Sequence, residues 1–340
     1  MTSTPDVLSC IQPTADLHVG NYFGAVANWV KLQQTHRCIY GIVDFHAITM
    51  PYDPVALRKN TRNMVIDLLA CGVDPEKSIL FVQSLVPEHC ELCWILSSQC
   101  SFGDLSRMTQ FKDKSQKLQS ESGDDYISAG LFFYPVLQAA DILAYRASYV
   151  PVGKDQEQHL ELSRGIARRF NQRFNTDLFP EPKPLFTQTP RIMSLAQPES
   201  KMSKSAGPKH YVGLFEEEAS IRKKIKSAVT DTGLPAAEET MSPGVANLFE
   251  ILRACQADIA ADQLQTDYQA GQLKYAQLKG AVGDALVALT EPFRRRRQAL
   301  VGDEAMIDQQ IRQLSEQARQ IAADTLNRVR KLTGFPKSQP

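Results

Sequence analysis

No stretch of this 340-residue chain stays apolar for the roughly 18 positions that a membrane span requires. The opening Met1-Thr2-Ser3-Thr4-Pro5-Asp6 has neither the basic start nor the apolar centre of a secretory leader, which leads to the expectation of a cytoplasmic protein with no membrane partner. Net charge is missing as well. The 38 basic residues meet 38 acidic ones, so no overall field gathers a polyanion, and any nucleic acid must be met by a local patch. Cysteine is sparse and odd in number, 7 in all. Cys10, Cys38 and Cys71 sit among apolar neighbours, as buried thiols do in a reducing compartment. Cys90, Cys93 and Cys100 lack a fourth ligand at metal-site spacing, so no protein-held metal is expected.

What is present is an ordinary globular composition, 43% hydrophobic and 22% charged, on a chain long enough for two cores. Four strand-like stretches, Val7 to Ile11, Cys38 to Val43, Ser78 to Gln83 and Tyr149 to Val152, alternate with helical patterns. Such alternation predicts an α/β fold with a mostly parallel sheet covered by helices on both faces. The intervening helices run from about His18 to Gln34, from Asp53-Pro54 to Cys71-Gly72, from Pro87-Glu88 onward, from Ser128 to Arg146, and from Asp155 to about Phe174. The polar segment Lys112 to Asp125 reads as a surface loop. Beyond residue 206 the strand signals stop. Helical patterns follow at Glu216 to Val229, Val245 to Cys255, Leu273 to Leu289 and Asp303 to Leu332. The expected division is therefore 1–206 as an α/β domain, 207–334 as an all-helical domain whose last helix packs back on the first, and 335–340 as a tail.

Three segments carry the chemistry. His18-Val19-Gly20-Asn21 follows a strand and Gln12-Pro13-Thr14 and opens a helix, so its amides can meet an anion. Lys201-Met202-Ser203-Lys204-Ser205 sets two lysines among hydroxyls after the Pro-interrupted Gln197-Pro198-Glu199-Ser200, a loop able to bring two cations onto a polyphosphate. Asp141 stands in the otherwise apolar run Pro135 to Leu143, where a buried carboxylate must find a donor. Each has a plainer reading when taken alone: a capped turn, a solvated lysine pair, a structural ion pair. The basic runs Arg222-Lys223-Lys224-Ile225-Lys226 and Arg294 to Arg297 can meet RNA phosphates or can simply be solvated helix faces.

Taken in this order, HVGN and KMSKS resemble the paired segments of class I aminoacyl-tRNA synthetases. The further strings Gly20-Asn21-Tyr22-Phe23-Gly24-Ala25, Ala139-Ala140-Asp141-Ile142-Leu143 and Pro151 to Leu162 are similar to the bacterial tryptophanyl-tRNA synthetases. The resemblance implies a Rossmann-type doubly wound parallel sheet with a C-terminal helical, anticodon-binding domain, usually as a homodimer. It implies activation of L-tryptophan by ATP with Mg2+, then transfer to the 3' end of tRNA(Trp).

In that light Lys201, Lys204 and Asn21 serve catalysis. ATP is met by Gln12, Pro13, Thr14, His18, Gly20, Asn21, Gly153, Lys154, Asp155, Ile192 and the string Lys201, Met202, Ser203, Lys204, Ser205. Tryptophan is met by Asp141 at the indole N–H, Tyr134 and Gln156 at the amino group, and Val43, His46 and Gln138 in the pocket walls. Lys112 and Lys114 are open between a pyrophosphate contact and plain surface charge. The tyrosyl enzymes share the Gln-x-x-Asp of Gln138 and Asp141 but usually bear a KFGKT-like loop. Small nucleotidyltransferases lack the helical half, and a non-catalytic tryptophan or RNA sensor has no need of the lysines.

Overall fold

The computed structural model describes residues 5–14, 16–122, 127–151, 153, 157–186, 189–230, 241–302 and 304–336, with the side chains of 114 and 117–122 outside that description. Five parallel strands, β1 (Val7–Ile11), β2 (Cys38–Ile42), β3 (Ser78–Val82), β4 (Tyr149–Pro151) and β5 (Lys183–Leu185), lie in the order β3-β2-β1-β4-β5. The parallel sheet read from the sequence is the one that forms. β2 is buried along its whole length, as expected of a strand covered on both faces. Gly41 is required there by close approach: a Cβ would lie 2.6 Å from Phe81 Cζ and 2.9 Å from Cys10 Sγ. β5 escaped the sequence reading because Pro184 stands in it, a residue that sheets accept at an edge, which is where β5 lies.

The helix after β1 is built of α1 (Val19–Asn21), a π-helical stretch Tyr22–Val26 and α2 (Ala27–Leu32). α3 (Asp44–Ala47) leads to α4 (Pro54–Ala70), where the Asp53 carboxylate accepts from the Ala56 amide at 2.6 Å and Pro54 sits in the first turn. α5 (Glu88–Ser97), α6 (Phe102–Ser106), α7 (Thr109–Ser122), α8 (Ala129–Ala144) and α9 (Glu157–Phe174) complete the first half. α7 corrects the loop expected at 112–125, of which 123–125 lie outside the described residues. Lys and Gln are good helix formers, so a polar stretch of them signals a solvated helix as readily as a loop. Phe111 anchors this helix edge-on against Phe132, ring centroids 5.2 Å apart.

The second half holds α10 (Glu218–Lys226), α11 (Pro243–Ala254), α12 (Asp258–Gln269), α13 (Tyr275–Leu300) and α14 (Glu304–Thr333). α12 was not anticipated. α13 runs past Leu289 through Pro292, an exposed proline inside the helix that leaves the Ala288 carbonyl without its usual helical donor. None of the described helices is long and apolar enough to cross a membrane.

One apolar cluster joins one side of the sheet to α2 and α4, on which α13 with α10 and α11 packs, and to the start of α14; the other joins the opposite side to α5, α8, α9 and the rest of α14. α14 also covers the exposed edge, since the Ser315 hydroxyl accepts the Val82 amide of edge strand β3 at 3.1 Å. Asp67 of α4 is fully buried, and its Oδ1 accepts from Arg297 of α13 at 2.6 Å.

Candidate active site

The strand order reverses between β1 and β4, whose connections leave in opposite directions. A doubly wound sheet opens a crevice beyond the carboxyl ends of its strands at such a point. Three cavities meet in that crevice. One of about 350 Å3 is walled by the ends of β1 and β4 and by α8. One of about 790 Å3 lies between the turn after β1 and the lysine loop. One of about 830 Å3 reaches Gly20, Gly153 and Ile192. Gln12 lines the first two and Lys201 the last two, so the three adjoin one another.

The turn is locked by its own side chains. His18 Nδ1 accepts from the Asn21 amide at 3.3 Å, and Asn21 Oδ1 accepts from the His18 amide at 3.2 Å, a reciprocal cap on the helix start. Burial, aided by Lys204 and Lys201, lowers the His18 imidazole to about 4. The ring is therefore neutral at physiological pH. With Nδ1 engaged as an acceptor its proton resides on Nε2, and His18 is a neutral donor beside the 790 Å3 cavity. Gly20 is constrained here by protein as well as by any ligand, since a Cβ would meet His18 Cε1 at 3.0 Å and Met202 Cβ at 3.3 Å. Pro13 is buried behind the turn and lines none of these cavities, whereas Thr14 does.

The lysine loop is tied down at both ends. Lys201 forms an antiparallel bridge with Met193, and the Met202 amide donates to the Ile192 carbonyl at 3.2 Å. Past the loop, the Val19 amide donates to Val212 and the Leu214 amide to Leu17, at 2.9 and 3.1 Å. Met202 is buried under this ladder, so the apolar member of the string is its anchor. Lys204 Nζ lies 3.5 Å from Asp16 and 5.3 Å from the Tyr211 ring centroid, and Ser203 and Ser205 share a hydroxyl contact at 2.9 Å. The structure thus brings HVGN and KMSKS together on one cavity. Lys154, Asp155 and Gln156 lie outside the described residues.

Val43, His46, Tyr134, Gln138 and Asp141 all line the 350 Å3 cavity. Asp141 is fully buried and ionised. Burial alone would raise its carboxyl, but the charge and hydrogen bond of His46, joined by His89, hold it well below its ordinary value. Its Oδ2 accepts from His46 Nε2 at 2.7 Å; Oδ1 accepts from Gln83 Nε2 at 2.7 Å and from His89 Nδ1. The Tyr134 hydroxyl meets His159 Nε2 at 2.9 Å, and burial raises this phenol to about 12. Sequence reasoning missed His89, Gln83 and His159. His89 was findable: it shares the buried face of α5 with Leu92, Cys93 and Leu96 at helical spacing, where an ionisable group needs a partner.

The basic runs are largely spent inside the molecule. Arg222 pairs with Glu218 and Asp284, Lys224 with Glu216, Arg295 with Glu291 and Arg297 with Asp67, while Arg294 donates to the Glu216 carbonyl.

Comparison with known proteins agrees with this geometry. The family model for class I tRNA synthetases (W and Y) matches residues 2–291. Tryptophan–tRNA ligase 2 of Streptomyces avermitilis is 47% identical over 335 residues, 97% of this chain and 97% of that protein. The tryptophanyl-tRNA synthetase of Campylobacter jejuni complexed with ADP and tryptophan superposes with a TM-score of 0.82 at 32% identity, over 97% of this chain and 99% of that one. The tryptophanyl-tRNA synthetase of Mycoplasma pneumoniae gives 0.83 at 34% identity, over 98% and 99%.

Proposed function

The chain belongs to the class I tRNA synthetases (W and Y) and is a tryptophan–tRNA ligase, and we propose that its three adjoining cavities divide the work of amino-acid activation. Tryptophan occupies the 350 Å3 cavity, its indole N–H on Asp141, its ring against Val43, His46 and Gln138, and its amino group toward Tyr134; the resemblance adds Gln156, outside the described residues, at the amino group. The adenosine of ATP enters the 830 Å3 cavity by Gly20, Gly153 and Ile192; the resemblance assigns Lys154 to ATP and Asp155 to its ribose, both outside the described residues. The triphosphate fills the 790 Å3 cavity among Thr14, His18, Asn21 and the lysine loop. The observation that carries this reading is Gln12, which lines both the tryptophan and the triphosphate cavities and so marks where the reacting atoms meet.

The tryptophan carboxylate attacks the α-phosphorus, the bond to the bridging oxygen of pyrophosphate breaks, and tryptophanyl-adenylate remains. The 3'-terminal ribose hydroxyl of tRNA(Trp) then attacks the carbonyl carbon and AMP leaves. No protein nucleophile takes part. Lys201 and Lys204 offset the charge that builds on pyrophosphate; Asn21 and the neutral Nε2–H of His18 add donors that need no proton transfer. Magnesium arrives with ATP: among the described residues no group of three His, Cys, Asp or Glu side chains is arranged to hold a metal ion, and this ion takes substrate phosphates and at most one or two carboxylates.

In the same reading residues 207–334 meet the anticodon arm. A homodimer forms over the apolar groove of Phe45, Ile48, Cys93 and Trp94, of which Trp94 is 74% exposed. The protein works in the cytoplasm. Pyrophosphate exchange into ATP, run against a panel of amino acids, tests the core of this reading. Stimulation by tryptophan is expected; stimulation by tyrosine alone, or by none of them, overturns it.

A further inference from the structure

An ionised carboxylate offers about four lone-pair directions and no proton. Three of those of Asp141 are filled by protein donors. Gln83 and His89 take both directions of Oδ1, and His46 takes one of Oδ2. The fourth, on Oδ2, has no donor among the described residues and belongs to a side chain that lines the tryptophan cavity. His89 does not line that cavity; it is fully buried behind Asp141. Its other ring nitrogen, Nε2, lies 2.6 Å from the Tyr145 hydroxyl. Because the carboxylate only accepts, His89 Nδ1 carries the proton toward it. The buried phenol of Tyr145 thus holds the far side of the ring and sets its orientation behind the carboxylate. The Gln83 amide is oriented in the same way, since its Oε1 accepts the Phe45 amide at 3.1 Å and Nε2 is thereby turned to Asp141.

We propose that His89, held in place by Tyr145, is a positioning residue for substrate selection: by filling Oδ1 from behind it leaves the remaining acceptor direction of Asp141 to the cavity. The pocket is thereby tuned to a ring that carries a single N–H donor. This rests on the reading above that Asp141 accepts the indole N–H. It differs from a general packing role in one measurable respect. A packing residue affects every occupant of the cavity, whereas a residue that aims the acceptor affects only an occupant with a donor.

The test uses the full-length enzyme in pyrophosphate exchange with two amino acids, tryptophan and its benzothienyl isostere, in which sulfur replaces the indole N–H. For His89→Leu, kcat/KM for tryptophan should fall about 10- to 100-fold, the worth of a hydrogen bond to a charged group, and that for the isostere by less than about threefold. The loss should appear in KM more than in kcat. His89→Asn, whose amide reaches the position of Nδ1, should restore the preference for tryptophan. Tyr145→Phe, nearly isosteric and independent of any folding defect in the leucine variant, should weaken the preference without affecting the isostere.

Equal losses for both amino acids in His89→Leu and Tyr145→Phe, or no loss for either, overturn the proposal. Asp141→Asn separates it from its premise. If that variant keeps the wild-type preference, the role of Asp141 itself is wrong; if it abolishes the preference while the His89 and Tyr145 variants retain it, only the role of His89 fails.

Discussion

Replacing Asp67 by asparagine should flatten part of the dependence of stability on pH. Asp67 is fully buried, with Oδ1 on Arg297 and Oδ2 without a hydrogen-bond partner. Burial raises its carboxyl from 3.8 to about 6, Arg297 opposing the rise without overcoming it. The folded chain therefore binds this proton more tightly than the unfolded chain does. The difference is about 2 pH units, and at about 1.4 kcal/mol per unit it amounts to about 3 kcal/mol. The sign follows from a raised carboxyl: the stabilisation is complete below about pH 3.8, declines as pH rises, and is lost above about pH 6. Roughly half of it, about 1.4 kcal/mol, disappears between pH 5 and pH 8.

Asparagine cannot ionise. The free energy of unfolding of Asp67→Asn relative to wild type should thus shift in favour of the variant by about 1.4 kcal/mol across that interval, whatever the offset at pH 5. Urea unfolding at fixed protein concentration in half-unit pH steps measures it. Wild-type and variant curves that run parallel from pH 5 to pH 8 would refute the assignment of a proton to this buried pair.

Lys204→Ala should lower the single-turnover rate of adenylate formation about 100-fold, with tryptophan affinity nearly unchanged, because the lost cation faces the phosphates and not the indole; an unchanged rate refutes its role. Gly41→Ala places a Cβ 2.6 Å from Phe81 in the centre of the sheet, and thermal or urea unfolding should register a loss of about 1–3 kcal/mol. Ser315→Ala leaves the buried Val82 amide without its acceptor and should cost about 1–3 kcal/mol, with faster hydrogen exchange at Val82 as the local readout.

Much of this architecture was legible because its signals are local. The β-branched runs of β1 to β3 and the Asp53-Pro54 start of α4 each state their own structure. HVGN and KMSKS could be paired in advance because both strings are distinctive, and they do line one cavity. What was not legible depends on partners far along the chain. The donors to Asp141 come from positions 52 to 95 residues away, and nothing in the string around Asp141 names them. The arginine runs stayed open between RNA contacts and solvated helix faces for the same reason, since their carboxylate partners Asp67 and Asp284 lie elsewhere in the sequence. α7 was misjudged for a different reason: a helix with few apolar residues resembles a loop in composition.

The cover that α14 places over β3 has a bearing on synthesis. Val82 leaves the ribosome 233 residues before Ser315, the residue that caps its amide. At roughly 5–20 residues per second, the nascent chain carries an open strand edge for some 10 to 50 seconds. Chaperone demand and the risk of intermolecular strand pairing are concentrated in that interval, and a chain released early exposes the same edge to proteolysis.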